Sequence, residues 1–319
     1  MHLKTVCVLG GTGFVGHHLA QRLVELGYRV RVLARRRERH RDLLVLPMLD
    51  LIEADIFNLR VLAEQFTGCD AVINLVGILN EPGHKGHGFR AAHVELPGKI
   101  VRACLASGVE RVLHMSALNA NTRNAPSHYL RSKGEGEDLL HAVPDLRVTS
   151  FRPSVIFGPG DSFINRFAGL LRRIPLIFPL ACPHARFAPV YVEDVVEAFI
   201  RALPDFHTIG RRYDLCGPRA YTLEQLVEYT ALTIGVRRRI VGLSDRLSRL
   251  QASIFEYLPG KPFSRDNYLS LQVDSLCSES FPAIFNIKPT PLESIVPNYL
   301  APGGVKTRYS GYRTHANRE

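Results

Sequence analysis

The sequence has no long uninterrupted apolar run. Its two most apolar stretches, residues 43–52 and 174–182, are short and are broken by prolines and an aspartate. A helix needs roughly 18 apolar residues to span a bilayer, so we expect no transmembrane segment. The apolar residues at the start lead directly into a glycine loop, which favours a first strand over a signal peptide. We therefore expect a cytoplasmic protein, and peripheral association with the inner face of a membrane stays open as an alternative.

Cysteine is scarce, and no two cysteines form a C-x-x-C pair. The six lie far apart in the sequence: Cys7, Cys69, Cys104, Cys182, Cys216 and Cys277. This pattern gives no support to a zinc ribbon, a thioredoxin-type site or a disulfide framework. The thirteen histidines show no ligand spacing of the H-E-x-x-H kind. We expect reduced cysteines and no bound metal.

The composition is that of a globular protein with an excess of positive charge. Of 319 residues, 46% are hydrophobic and 22% are charged, which argues against disorder. Forty lysines and arginines against thirty acids give a formal charge of +10, which favours anionic partners such as nucleotide phosphates or acidic lipid headgroups. The basic residues lack interleaved aromatics, so we expect no nucleic-acid binding.

The first half of the chain alternates apolar runs with amphipathic stretches, which is typical of a parallel sheet covered by helices. We predict strands at residues 5–9, 29–33, 49–53, 71–76, 111–115 and 147–151. After residue 152 the alternation loosens, and we predict helices at 163–173, 192–202, 223–234 and 244–258. The fold class is therefore α/β: a Rossmann doubly wound parallel sheet with a smaller, discontinuous α/β C-terminal substrate domain. We place the first domain at 1–160 with a returning segment around 186–202, the second at 161–301, and a disordered tail at 302–319.

The strongest motif is the glycine loop V-L-G-G-T-G-F-V-G, which follows the first strand and opens a helix. Its glycines lie three residues apart, as a tight turn, a close backbone approach to a pyrophosphate and close packing of helix on strand require. The N–H groups and the positive dipole at a helix N-terminus then attract the phosphates. We predict that a dinucleotide is bound by Gly10, Thr12, Gly13, Phe14, Val15 and Gly16.

The residues after the second strand bear on which dinucleotide binds. NAD calls for an acid about 20 residues beyond the glycine loop, where this sequence has Leu33-Ala34-Arg35-Arg36. A guanidinium suits a ribose 2′-phosphate, so we predict NADP(H), bound by Arg35 and Arg36, with NAD(H) as the alternative. The other interpretation is that these arginines belong to a solvated loop.

Two further strand ends contribute residues to the same edge of the predicted sheet. Asp55, followed by Ile56, comes after the third strand, where a carboxylate can accept the adenine amino group. Leu75, Val76 and Gly77 lie at the end of the fourth strand, where the cofactor crosses the sheet. We assign all five to the cofactor site, although ordinary strand ends would also explain them.

The sequence Y-L-R-S-K places Tyr129 and Lys133 four residues apart, on one face of a predicted helix. An ammonium beside a phenol lowers the pKa of the phenol, so Tyr129 can exchange a proton with a substrate oxygen while Lys133 also contacts the nicotinamide ribose. Ser116, at the end of the fifth strand, can hydrogen-bond the same oxygen. We predict that these three residues are catalytic and also bind the cofactor.

These motifs resemble the extended and atypical short-chain dehydrogenase/reductases, which are NAD-dependent epimerase/dehydratase-like proteins. The resemblance spans about residues 3–300 and includes the glycine loop, the serine with Y-x-x-x-K, R-P-S-V-I-F-G-P-G-D and P-V-Y-V-E-D-V. The strings N-L-V-G, H-M-S-A-L-N-A-N and Y-L-R-S-K-G-E-G-E are similar to the subunit 9 family of respiratory complex I and its bacterial relatives.

The resemblance implies a Rossmann domain that binds NADPH. It gives the 2′-phosphate contact to Arg35, the ribose contact to Lys133 and proton transfer to Tyr129, and it adds Pro153 and Ser154 as a nicotinamide-side loop. It also implies a link to respiratory complex I or to ubiquinone metabolism. In the complex I subunit, the bound nucleotide is associated with structure or assembly.

Three functions stay in competition. The first is an NADP(H)-binding oxidoreductase that transfers hydride to or from a hydrophobic carbonyl or alcohol. The second is a non-catalytic, nucleotide-bound scaffold or assembly factor, and the third is a nucleotide-sugar epimerase or dehydratase. The apolar stretches 174–180 and 292–300 favour a hydrophobic, quinone-like substrate over a sugar. We expect helix 244–258 to pack on the C-terminal domain, with docking at a membrane or a respiratory complex as the alternative.

Overall fold

The structure is a computed structural model, and it describes residues 4–81, 83–259 and 261–301. The chain forms two compact units. The first runs through Pro153 and takes back two later segments, Val192–Leu215 and Pro282–Ile287. The second consists of Ser154–Tyr191, Cys216–Phe281 and the described residues from Lys288 onward. The sequence-based prediction placed the boundary at residue 160 and had the chain return to the first domain once, around 186–202, whereas in the structure it returns twice. The tail predicted at 302–319 lies outside the described residues.

Strands and helices alternate along most of the chain. The strands are β1 Thr5–Leu9, β2 Arg29–Ala34, β3 Leu49–Glu53, β4 Ala71–Asn74, β5 Arg111–Met115, β6 Arg147–Pro153, β7 Ile156–Phe157, β8 Ile177–Leu180, β9 Arg186–Phe187, β10 Val190–Tyr191, β11 Arg212–Leu215, β12 Tyr221–Thr222 and β13 Arg239–Gly242. The helices are α1 Phe14–Glu25, α2 Leu59–Phe66, α3 His87–Arg90, α4 Leu96–Ser107, α5 His128–His141, α6 Ile164–Arg173, α7 Val192–Ala202, α8 Leu223–Thr233, α9 Asp245–Phe255, α10 Arg265–Ser270 and α11 Leu292–Leu300. Within the described ranges, no helix is both long and apolar enough to cross a bilayer.

Parallel strands form the central sheet of the first unit, in the order β11-β6-β5-β4-β1-β2-β3. Because β1 pairs with both β2 and β4, the order of the strands reverses at that point, as in a Rossmann sheet. The predicted fold class is confirmed. The strand β11 was not predicted, because R-Y-D-L is short and polar. It nevertheless pairs in parallel with β6, and Arg212 lies opposite Ser150.

Burial on both faces explains why the central strands are so apolar. All four residues of β4 and all five of β5 are buried, as expected for a parallel sheet covered by helices. On one face, α2 and α4 bury Leu62, Phe66 and Ile100 against the strands. Each such side chain contributes about 1.5–3 kcal/mol relative to its exposed state. The sheet therefore holds the strand ends, and the loops that follow them, in fixed positions.

The second unit is built from short strand pairs and helices around its own core. β7 pairs with β10 and β8 with β13 in parallel, whereas β9 and β12 are antiparallel. The core includes Phe157, Leu171, Phe178, Leu226 and Val296. These residues come from separate segments of the sequence, which explains why the periodicity after residue 152 is weak.

Helix α9 presents its apolar side chains to solvent. Leu247, Leu250 and Ile254 are exposed, and the buried residues of the helix are Ser248 and Ala252. The Ser248 hydroxyl accepts a hydrogen bond from the backbone N–H of Cys182 at 3.1 Å. The buried face of the helix therefore consists of small side chains. We expected this helix to pack on the C-terminal domain through its apolar side, and that expectation was wrong, because Leu247, Leu250 and Ile254 face solvent.

Two cysteines of the second unit form a disulfide. Cys216 and Cys277 are bonded, with a Cα–Cα distance of 6.0 Å. The segment before Cys277 lies beside β9, where the Ser275 N–H donates to the Arg186 carbonyl at 2.8 Å. The expectation of six reduced cysteines was wrong, because the two partners are separated by 61 positions and no local spacing reveals their proximity.

Candidate functional site

The glycine loop connects the end of β1 to the start of α1. Gly10 has a φ of +77°, which favours glycine, and its carbonyl accepts the N–H of Gly13 at 3.0 Å. A Cβ added to Gly16 would lie 2.2 Å from the Gly10 carbonyl oxygen, so any larger residue would push the helix away from the loop. Thr12 lies in the loop, and Phe14 and Val15 form the first turn of α1. Backbone N–H groups are thus gathered at a helix N-terminus, which is the arrangement that binds pyrophosphate.

The ends of β2 and β3 carry the residues assigned to the adenosine side. Arg35 and Arg36 follow Ala34 and are exposed. At the end of β3, a Glu53 carboxylate oxygen accepts the N–H of Arg37 at 2.9 Å, which fixes the loop that begins with these arginines. Asp55 is exposed and accepts the N–H of Phe57 at 2.9 Å, so part of its hydrogen-bonding capacity serves its own turn. The neighbouring Ile56 is buried.

The loop after β4 lies against the Gly10 turn and against a lysine of α5. The Leu75 N–H donates to the Leu9 carbonyl at 2.9 Å, and the Val76 N–H donates to the Asn74 side chain at 3.1 Å. A Cβ on Gly77 would lie 3.0 Å from the Lys133 Nζ. The sequence-predicted residues of this loop are therefore brought next to the predicted lysine.

Lys133 is buried, and its ammonium is held by backbone carbonyls. Its Nζ donates to the carbonyl oxygens of Met115 at 3.0 Å and Val76 at 3.4 Å. Burial lowers the pKa of Lys133 to about 8, and the charge of Glu137 opposes that shift. The contact with Met115 places the lysine beside the residue that precedes Ser116.

The hydroxyl of Ser116 is buried and makes no hydrogen bond to the described residues. Its N–H donates to the Phe151 carbonyl at 2.7 Å, which fixes the residue at the end of β5. Within the part of the chain that the structure describes, its Oγ has no hydrogen-bond partner. Buried polar atoms are nearly always satisfied, so an unpaired hydroxyl in this position indicates a place for a ligand.

Tyr129 is oriented by a histidine that the sequence did not reveal. The His93 ring packs edge-on against the Tyr129 ring at 5.6 Å. Its Nε2 accepts the Ile78 N–H at 3.0 Å, so its Nδ1 carries a proton and donates to the Ser132 hydroxyl at 2.9 Å. That hydroxyl in turn donates to the Tyr129 carbonyl at 2.9 Å. Burial and the charge of Lys133 lower the pKa of His93 to about 2, so this ring stays neutral.

A second pair of polar residues lies inside the sheet. The Asn74 amide donates to His114 Nδ1 at 3.1 Å, since the two face each other in β4 and β5. Burial and the Lys133 charge hold the pKa of His114 well below its ordinary value. Asn74 and His114 are polar residues within apolar runs of the sequence. This is the one feature of the sequence that indicates a role for them.

Helix α5 is also anchored by a buried ionic cluster. The Glu137 carboxylate has no solvent exposure, and it accepts hydrogen bonds from Arg152 at 2.7 Å and from Arg212. Arg152 lies on β6 and Arg212 on β11, so the cluster ties the helix to two neighbouring strands. This cluster positions the helix that carries Tyr129 and Lys133.

The two residues assigned to the nicotinamide side lie where the first unit ends and the second begins. Pro153 closes β6, and its carbonyl accepts the Leu118 N–H at 3.1 Å. The Ser154 hydroxyl donates to the Ser275 carbonyl at 2.8 Å within the second unit. The role of both in cofactor binding stays a prediction. Among the described residues, no cluster of three His, Cys, Asp or Glu side chains could hold a metal ion.

The glycine cradle, the carbonyl-bound lysine and the unpaired serine hydroxyl suit a dinucleotide next to a proton-transfer site. The sequence profile of the NAD dependent epimerase/dehydratase family matches residues 6–216. The chain belongs to this family. The family resemblance seen in the sequence is thereby confirmed, and family membership supports dinucleotide binding by the first unit.

Individual relatives are similar over most of the chain. The sequence is 29% identical over 308 residues to NADH dehydrogenase (ubiquinone) 1 alpha subcomplex subunit 9, mitochondrial, of Mus musculus, covering 90% of this chain and 77% of the relative. It is also 29% identical over 250 residues to a ceramide reductase of Caulobacter vibrioides, covering 75% and 74%. A dTDP-glucose 4,6-dehydratase of Streptomyces venezuelae, solved with NAD bound, has a TM-score of 0.64 at 21% identity over 75% of this chain and 84% of that one. At that identity the likeness supports the fold alone.

Proposed function

We propose that the protein is an NADP(H)-dependent oxidoreductase of the complex I subunit 9 type that acts on a hydrophobic carbonyl or alcohol. The observation that carries this proposal is the buried, unpaired Ser116 hydroxyl beside the Met115–Lys133 contact. A substrate oxygen at that position would satisfy the hydroxyl. The nicotinamide of a bound dinucleotide would supply or accept the hydride.

The chain's own residues would move the proton. Tyr129 lies one helical turn from Lys133 on α5, so the lysine charge favours the phenolate and prepares the tyrosine for proton exchange with the substrate oxygen. Ser116 would donate a hydrogen bond to the same oxygen and polarise it. His93, through Ser132, would hold the tyrosine backbone and ring in place.

The preference for NADP(H) rests on the loop after β2. No acid follows Ala34 directly, and two exposed guanidinium groups occupy the position instead. A guanidinium pairs with a phosphate through two parallel hydrogen bonds, whereas a ribose hydroxyl pairs better with a carboxylate. We therefore favour NADP(H). The competing cofactor is NAD(H), since the name of the family refers to NAD.

The substrate class rests on the two relatives. The name of one refers to ceramide and that of the other to ubiquinone, and both molecules carry long apolar chains. We infer a substrate of that character, such as a quinone or a long-chain ketone. Association with a respiratory complex at the inner face of a membrane belongs to the same proposal.

The test combines binding and turnover. Calorimetric titration with NADPH and NADH measures affinity, and absorbance of the reduced nicotinamide measures its oxidation by a short-chain quinone and by long-chain ketones. We expect Tyr129→Phe to lower turnover by roughly 10²–10⁴ while leaving NADPH affinity within about twofold. Tyr28→Phe is the control. Failure of the wild-type protein to bind either nucleotide would overturn the proposal.

A non-catalytic scaffold is the second candidate, and one contact favours it. Two of the three N–H groups of Lys133 are used by backbone carbonyls, so the lysine also serves to fix the fold around the nucleotide. A scaffold predicts NADPH affinity in the wild type and in Tyr129→Phe alike, with thermal stabilisation by the nucleotide and no oxidation by any substrate of the panel.

A further inference from the structure

Two segments of the second unit contain arginine but no acidic residue. Residues 162–192 hold Arg166, Arg172, Arg173 and Arg186 without any Asp or Glu. Residues 229–244 hold Arg237, Arg238 and Arg239, again without an acid. The chain as a whole has three acids for every four bases, so these acid-free segments carry an excess of positive charge that no acid of the same segment balances.

The fold brings these two segments together. The Arg238 guanidinium donates to the carbonyls of Leu171 and Ile174 at 3.1 and 2.8 Å, at the end of α6. The Arg239 N–H donates to the Leu176 carbonyl at 2.9 Å, where β13 begins to pair with β8. Arg172 and Arg173, at the end of α6, therefore lie close to Arg237, Arg238 and Arg239.

Four of these arginines point their charge outward. They are Arg172, Arg173, Arg237 and Arg239, and all four are exposed. Within the described ranges, none of them forms an ion pair with a carboxylate. Arg238 is half-buried and serves the packing described above. The cluster thus presents uncompensated positive charge to its surroundings.

Two exposed apolar side chains lie next to these arginines. Leu176 is 79% exposed and Ile177 is 55% exposed, in the turn that joins α6 to β8. Leu176 has a φ of +59°, and the Ile177 N–H bonds the Pro175 carbonyl at 2.8 Å in a three-residue turn. Such a conformation favours glycine, so a leucine there is strained as well as solvated. A strained, exposed apolar residue is a reason to look for a binding role.

The same face continues along the strand pair. In β8, Phe178 is buried and Ile177 is exposed, so alternate residues point outward. Val241 of β13 is also exposed on this pair, and Arg239 lies opposite Ile177 in the register. Arginine and aliphatic side chains therefore alternate on one outer surface.

We propose that this basic tip, formed by Arg172, Arg173, Leu176, Ile177, Arg237 and Arg239, docks on a bilayer that carries anionic lipid headgroups. Aliphatic side chains enter the headgroup region while arginines pair with the lipid phosphates, as in other interfacial protein surfaces. A protein partner would favour aromatic anchors, and the tip contains none. The proposal is independent of nucleotide binding, which involves the first unit.

The contribution of Leu176 and Ile177 to docking is tested by co-sedimentation of the full chain with vesicles of phosphatidylcholine, with and without phosphatidylglycerol. We expect binding only when phosphatidylglycerol is present, and a roughly tenfold lower partition coefficient for Leu176→Ser/Ile177→Ser. The control is Val45→Ser, an equally exposed apolar residue of the first unit at 80% exposure. Equal binding of the tip variant and the control would overturn the proposal.

The charged part is tested by two variants that change the net charge equally. One replaces the four exposed tip arginines by glutamine, and the other replaces Arg29, Arg60, Arg102 and Arg123, which are exposed in the first unit. We expect the tip variant to bind vesicles about tenfold or more weakly and the other to bind nearly as the wild type does. Equal losses of vesicle binding in the two variants would mean that only the net charge of the protein matters, and they would overturn the assignment of the docking site to the tip.

A fluorescent reporter distinguishes a membrane from an acidic protein. The chain contains no tryptophan, so Leu176→Trp introduces a single probe at the tip. We expect its emission to shift to the blue on anionic vesicles, while Val45→Trp stays unchanged. A shift with polyglutamate and none with vesicles would overturn the lipid proposal in favour of an acidic protein partner. Each variant is compared with the wild type in NADPH affinity and thermal unfolding, so that a folding defect is recognised.

Discussion

Lys133 shows how a single buried charge links the fold to the chemistry. Its ammonium lies among backbone carbonyls, and its pKa falls to about 8 because burial penalises the charged form. At neutral pH the lysine is still largely protonated, although its protonated form is favoured over the neutral form by only a small free energy. Its neighbours, the neutral His93 and His114, add no positive charge of their own. The Lys133 ammonium is therefore the positive charge that acts on Tyr129 from this group of three residues.

The proposed preference for NADP(H) can be tested at one exposed side chain, Arg35. We expect Arg35→Ala to raise the Kd for NADPH about tenfold, because a charge-assisted bond to the 2′-phosphate is lost, and to leave the Kd for NADH nearly unchanged. Calorimetric titration of both nucleotides measures this. Arg29→Ala, at the opposite end of the same strand, is the control and should change neither affinity. If wild-type protein binds NADH as tightly as NADPH, the preference does not exist.

At the scale of elements, the junction of β1 and α1 depends on the absence of a side chain. We expect Gly16→Ala to destabilise the fold by roughly 1–3 kcal/mol, because its Cβ would lie 2.2 Å from the Gly10 oxygen, and to weaken NADPH binding at least tenfold. Gly98→Ala in α4, where a Cβ meets nothing within 4 Å, should change stability by less than about 1 kcal/mol. Denaturant unfolding and calorimetry report the two effects, and similar behaviour of the two variants would contradict the prediction.

Helix α5 is held by a charge that has no access to water. Replacing Glu137 by glutamine leaves Arg152 and Arg212 without their shared carboxylate. Because water still reaches both guanidinium groups, we expect a loss of about 2–3 kcal/mol in the free energy of unfolding. Glu135→Gln on the same helix, which removes a long surface pair with Arg90, should cost less than about 1 kcal/mol. Equal losses in urea unfolding would show that the buried cluster does not anchor the helix.

At the scale of the whole molecule, buried neutral histidines make stability depend on pH. His93 and His114 have folded pKa values far below 6.5, so in acid the unfolded chain binds protons that the folded chain does not. Their contribution is complete above about pH 6.5 and is lost as the pH falls, at about 1.4 kcal/mol per pH unit for each histidine. We expect unfolding free energies measured between pH 7 and pH 5 to fall less steeply for His93→Gln than for the wild type. The exposed His207→Gln should keep the wild-type slope, and an unchanged slope in His93→Gln would contradict the assignment.

Local patterns in the sequence predict much of the first unit. The strands at 49–53 and 111–115 and the helix at 192–202 have the predicted bounds, since apolar period and strand length are local properties. The glycine loop, Ser116, Tyr129 and Lys133 were assigned to the site because the chemistry requires those residue types at fixed spacing, and their roles stay predictions.

Residues that act through distant partners could not be found in this way. His93 contacts Ile78 and Ser132, which are 15 and 39 positions away, and nothing in the sequence around it indicates either contact. The Cys216–Cys277 pair and the exposed face of α9 also depend on how separate segments meet. Such features follow from tertiary packing, which no local period encodes.

The late strand β11 has a consequence for how the protein is made. During synthesis, β6 leaves the ribosome well before residues 212–215, since part of the second unit lies between them in the chain. Over that interval β6 itself is the unpaired edge of the nascent sheet, and unpaired edges are templates for aggregation. Only after translation has passed residues 212–215 can the short, polar β11 replace β6 as the edge strand of the sheet that carries the glycine loop.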